Sequence, residues 1–163
     1  MPLLVKLDNK RMWDSPGWLP AGEVTADAVL DLRVEQNELS VWFVEQDRSN
    51  LERVLGALAA NREHVEKLDY AVFDEASLAQ VGVEARPSQG QLPDEHANEN
   101  WHRDLVELSG RRLVAVAEVI ASGSPQRCSH SNVRRILTDA AVQGHLRRDL
   151  VRERLAADLP WPQ

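Results

Sequence analysis

The sequence is short of the residues that announce the commoner kinds of site. Cys128 is the one cysteine among 163 residues, so no intramolecular disulfide is available and a reducing compartment is expected. No apolar run is long. Leu113 to Ala121 is interrupted by Glu118 and falls far below the roughly 20 residues of a membrane helix. Leu3-Leu4-Val5 meets charge at Lys6 and Asp8, without the basic start, longer apolar stretch and cleavage site of a secretory signal. These absences predict a cytoplasmic protein. The turn Glu45 to Asn50 holds no glycine, which argues against a dinucleotide or P-loop phosphate site. No Gly-x-Ser-x-Gly elbow occurs, and Cys128 has Arg127 and His130 nearby but no orienting third group, so nucleophilic catalysis has no motif to stand on.

What is present is ordinary globular material: 43% hydrophobic and 28% charged residues, enough to bury a core. Charge is divided unevenly. Residues 1–100 carry 9 Lys/Arg against 19 Asp/Glu, whereas residues 101–163 carry 10 against 7, all ten of them Arg. Such asymmetry marks a nucleic-acid or partner surface. With 16 Arg and 3 Lys in the chain, genome composition is the plainer account of it.

The pattern along the chain predicts an α/β fold. Leu3 to Leu7 reads as a strand, and Lys10 to Gly22 as a Pro/Gly-rich loop holding Trp13 and Trp18. Thr25 caps a short helix, and Leu39 to Val44 is a strand with Val41-Trp42-Phe43-Val44 apolar on successive positions. Ser49-x-x-Glu52 is a capping box that opens a helix with Leu51, Val54, Leu55 and Leu58 on one face. Leu68 to Phe73 is the next strand, followed by a short helix over 74–81 and an edge strand at 83–86. Strand, helix, strand implies parallel pairing. The expectation is a small, mostly parallel sheet of three to four strands with flanking helices, over residues 1–86. A connecting loop over 87–100 and an all-helical Arg-rich segment of about three helices over 101–163 complete it, the whole packed as one domain.

Three groups carry candidate chemistry. Parallel strands would place Asp8, Asp47 and Asp74, with Glu75, at the carboxyl edge of the sheet, where Mg²⁺ and phosphate bind in open α/β sheets. His96, Glu99 and His102 offer ligands suited to Zn²⁺, though their spacing matches no closed set. Acidic residues there are also expected simply as helix starts. Arg134, Arg135, Arg147, Arg148 and Arg152 lie on two helices separated near Gly144, the outline of a helix-turn-helix; Asp139, Asp149 and Glu153 dilute their charge. Five tryptophans beside one tyrosine and two phenylalanines point to an interface, since Trp and Arg dominate binding hot spots. Trp13, Trp18 and Trp161 are the candidates.

The reading that follows is a non-enzymatic bacterial interaction or regulatory module with no cofactor, the acidic partner of a basic protein or a self-associating one. DNA binding through the arginine-rich helices is the alternative. A Mg²⁺-dependent phosphoryl-transfer or nuclease-like protein is the third.

Overall fold

A computed structural model describes residues 1–163. Its centre is a six-stranded sheet in the order β4-β5-β2-β1-β3-β6. The strands are β1 (Pro2–Leu7), β2 (Leu39–Phe43), β3 (Leu68–Asp74), β4 (Ala85–Pro87), β5 (His102–Leu105) and β6 (Gln126–Cys128). Every neighbouring pair is antiparallel. The expected parallel sheet of three or four strands is therefore wrong. So is the all-helical C-terminal segment, because β5 and β6 come from it.

The reason lies in β1. It stands between β2 and β3 and runs against both, with Leu3 opposite Phe43 on one side and Phe73 on the other. Strands β2 and β3 do share a direction, and helix α2 (Leu51–Ala60) does cross between them. They are simply not neighbours. The continuous apolar runs reported burial on two faces, not strand direction, since helices cover both sides of this sheet.

Side-chain alternation divides the core in two. Leu4, Trp42, Leu68, Tyr70 and Val72 join the larger cluster, with α2, α6 (His130–Val142) and α7 (Glu153–Ala157). Leu3, Val5, Leu7, Val41, Ala71 and Phe73 join the other. That side is closed by α1 (Ala26–Asp31), α3 (Glu75–Gln80) and α5 (Gly110–Ser122). Helix α4 (Glu95–Asn100) precedes β5.

Local chemistry sets the boundaries. The apolar spacing from Trp101 to Ile120 reads as one helix, yet Ser109 accepts the amide of Arg112 and opens α5 only at Gly110. The residues before it extend into β5. The capping box at Ser49 is not formed. Asn50 takes the cap position instead, accepting the Glu45 amide (2.8 Å) and donating to the Phe43 carbonyl (3.1 Å). Glu52 turns outward to Arg135, 2.6 Å away. Thr25 caps α1 as expected, and Ser129 caps α6. Among these helices none is long and apolar enough to cross a membrane.

Candidate functional site

The antiparallel topology separates the strand-end carboxylates. Asp74 pairs with Pro2 in the β1–β3 register, whereas Asp8 follows Leu7, which pairs with Asp69 at the other end. Asp47 lies beyond the Phe43 end of β2, on the Asp74 side of the sheet. Each is also occupied. Asp8 holds Arg33 at 2.5 Å, and Asp47 accepts the Ser49 amide at 2.9 Å. Asp74 holds the N-terminal ammonium at 3.2 Å and caps α3 through Ala76. Glu75 donates its amide to the Met1 carbonyl. No three of the chain's His, Cys, Asp and Glu side chains converge as a metal ligand set.

His96, Glu99 and His102 also part company. His96 packs edge-on against Trp101, ring centres 4.8 Å apart, and Glu99 is exposed. His102 is on β5, buried to 6% exposure. Its Nδ1 lies 2.8 Å from Ser88 Oγ, and its Nε2 lies 3.9 Å from Asp104 Oδ1. The ring also meets the edge of Trp42, 5.3 Å away. Burial pulls the imidazole below its ordinary pKa against the opposing pull of Asp104, so it is neutral near pH 7. Sequence spacing hid this Ser-His-Asp line, because Ser88 reaches His102 only through the β4–β5 turn. Asp104 stands beyond hydrogen-bond reach of the ring; it accepts Ser40 Oγ at 3.1 Å instead.

The arginines of the back half are mostly committed. Arg135 pairs with Glu52 and Asp139, Arg147 with Glu95 and Asp149, and Arg152 lies 3.9 Å from Glu63. Arg148 stacks over Trp161 at 5.9 Å. Arg134 alone of the five is exposed with neither an ion pair nor a stacking contact. Beyond Gly144 the chain makes a 3-10 turn at Arg148–Leu150 and then the five-residue α7. No second long helix is presented as a helix-turn-helix requires.

The three tryptophans sort by their indole N–H. Trp13 is half-buried and donates to Asp31 Oδ2 at 2.8 Å. Asp31 also accepts the amides of Asp8 and Asn9, and burial raises its carboxyl against those three bonds. Trp161 docks back on the larger core and donates to the Ala156 carbonyl at 2.7 Å. Trp18 does neither, and 75% of it is exposed.

Trp18 borders a hollow of about 440 Å³ with Met12, Pro16 and the first turn of α1. Ala26 and Asp27 line it, and Leu30, 77% exposed, continues the same helix face at i+4 and i+3. Met12 adds a further 39%-exposed side chain. The rim carries Asp14 and Asp27 against Arg11, and exposed Glu23 lies in the same loop. The loop is pinned rather than loose. Leu19 N–H donates to the Pro16 carbonyl, Glu23 N–H to the Pro20 carbonyl and Thr25 Oγ1 to the Met12 carbonyl. Gly22, at φ +82°, supplies the left-handed residue that the Pro20–Glu23 turn needs.

No family model, curated protein or solved structure matches the chain. Its chemistry is read from this geometry alone.

Two adjoining cavities open on the other face of the sheet, sharing Arg33 and Asn61. The smaller, about 430 Å³, is lined by Trp42, His102, Ser40 and Asp104. The Trp42 indole N–H is buried there without an acceptor. The larger, about 890 Å³, is floored by Lys6 and walled by charged side chains.

Proposed function

We propose that the chain is a protein-binding module that takes an apolar, basic segment of a partner on the hollow beside Trp18. The carrying observation is an indole held three-quarters in solvent by a hydrogen-bonded loop, sharing a hollow with exposed Met12 and the first turn of α1, whose next turn carries exposed Leu30. Trp13, five residues earlier, shows that the same loop is able to bury an indole and satisfy its N–H. Contiguous exposed apolar surface marks an interaction site, and Trp is the residue most enriched at hot spots. A pinned loop also avoids the ordering cost of binding. Asp14 and Asp27 on the hollow's lining, and the balance of 9 basic against 19 acidic residues over 1–100, favour a basic partner,.

The test is a photo-crosslinking residue at position 18, expressed in the native host, with exposed Val142 on α6 as control position. The expected result is one dominant adduct at position 18 with a basic protein, abolished by Leu30→Asp. Equal adduct yields at 18 and 142 would refute the proposal. A crosslink to a second copy of the chain would replace the basic partner by self-association.

A further inference from the structure

We propose that the bowl floored by Lys6 binds the phosphate groups of a small phosphorylated metabolite. Lys6 lies on β1 opposite Tyr70, on the sheet face of Leu4 and away from the Trp18 loop. Its ammonium makes neither an ion pair nor a hydrogen bond, although its neighbours pair among themselves. Arg33 holds Asp8 at 2.5 Å, Arg62 holds Glu66 at 2.9 Å, and His64 holds Glu66 at 2.8 Å. Asp69 is taken by Arg127 from outside the bowl, and Glu63, the fourth carboxylate of the lining, faces Arg152 at 3.9 Å.

An unpaired, partly buried ammonium is costly unless something else satisfies it. Burial first, and then the charges of Arg62 and Arg33, pull Lys6 below its ordinary pKa, against Asp8 and Glu66. An anion entering the bowl reverses that balance. It meets Lys6, gains a second positive group from Arg33 or Lys67 at the wall, and is approached by Arg152 from the rim. Helix α6 brings its first residue, His130, to the same wall with no acidic side chain in its first turn. A cavity near 890 Å³ suits a metabolite. An extended nucleic-acid backbone is disfavoured by the net charge of −7, which repels a polyanion.

The experiment is titration calorimetry with inorganic pyrophosphate at low ionic strength, against sulfate at matched ionic strength and against a single-stranded oligonucleotide. Wild-type protein is expected to bind one pyrophosphate more tightly than sulfate. Lys6→Met is expected to weaken binding by about tenfold or more, as loss of a charge-assisted contact requires. Without ligand the same variant melts no lower than wild type, because a methionine carries no desolvated charge. Arg33→Gln, on a side chain 81% exposed, repeats the test away from the packed core and is expected to weaken binding as well. The proposal is overturned by absence of pyrophosphate binding, by equal affinity for sulfate, by unchanged affinity in the two variants, or by tighter binding of the oligonucleotide. The Trp18 crosslink is unaffected by either variant, so this inference and the docking proposal stand or fall separately.

Discussion

Replacing Asp69 by Ala tests how the sheet is held to the loop after β1. The carboxylate is 2% exposed and accepts three bonds: Arg127 Nε at 2.7 Å, Arg127 Nη2 at 2.9 Å and the Lys10 amide at 2.8 Å. These tie β3 to edge strand β6 and to the 3-10 turn at Lys10–Trp13. Removing the carboxylate orphans the Lys10 amide, which costs about 1–3 kcal/mol if it stays dry. The loss of the ion pair adds less than the 3–5 kcal/mol of a fully buried pair, because the Arg127 side chain is 31% exposed and turns to water. A total of about 2–4 kcal/mol is expected, or roughly 4–16 °C in melting temperature at 2–4 °C per kcal/mol for a chain of this size. Urea unfolding followed by tryptophan fluorescence reads it directly. The pH dependence gives a second handle. Burial pushes Asp69 up, but the bonds from Arg127 and Lys10 outweigh it and hold the carboxyl below its ordinary value. A depressed folded pKa means stability that is full above the unfolded value, about 3.9, and is lost as pH falls through the folded one. The gap between wild type and Asp69→Ala should therefore close in acid, below pH 4. A difference under about 0.5 kcal/mol at pH 7, the ordinary size of a surface change, would show that the pair contributes nothing.

Two other expectations concern packing and protonation. A Cβ at Gly123 would stand 2.2 Å from the Val72 carbonyl oxygen; because that neighbour is backbone, Gly123→Ala should cost at least the 1–3 kcal/mol of an overpacked core, measured by the same unfolding curves. His102 has a folded pKa below its unfolded value, so the unfolded state binds more protons in between, and stability should fall on acidification from about pH 6.5 downward. His102→Gln should flatten that slope, and a slope unchanged by the substitution would rule His102 out as its source.

Strand positions were legible in the sequence, because Val41 to Val44 and Tyr70 to Phe73 are apolar without a break. Strand directions were not. Nothing local in Leu3 to Leu7 says that it lies between two later strands. Strand β5 was hidden for a different reason: His102, Arg103 and Asp104 are polar, and Trp101, Leu105 and Leu108 fall by chance at helical spacing. His102 and Asp104 face the same side as Trp42 and Ser40 across the β2–β5 register, so their polarity reports the cavity rather than solvent. Of the site residues, the exposed Trp18 was visible as an aromatic in a Pro/Gly loop. Lys6 looked like the end of a strand, since its lack of a partner depends on where Arg33, Arg62 and Glu66 fold around it.

The place of β1 also bears on how the chain acquires its structure. The first of these strands to be synthesised lies in the middle of the sheet, and its two partners are β2 and β3, with β5 and β6, both beyond residue 100, added outside them on opposite sides. A ribosome releasing this chain at about 5–20 residues per second exposes Leu3, Leu4 and Val5 long before β3 exists to cover them. Pairings this distant in sequence close slowly. Between those two moments β1 is a bare apolar edge, and chains truncated before β3 are expected to aggregate.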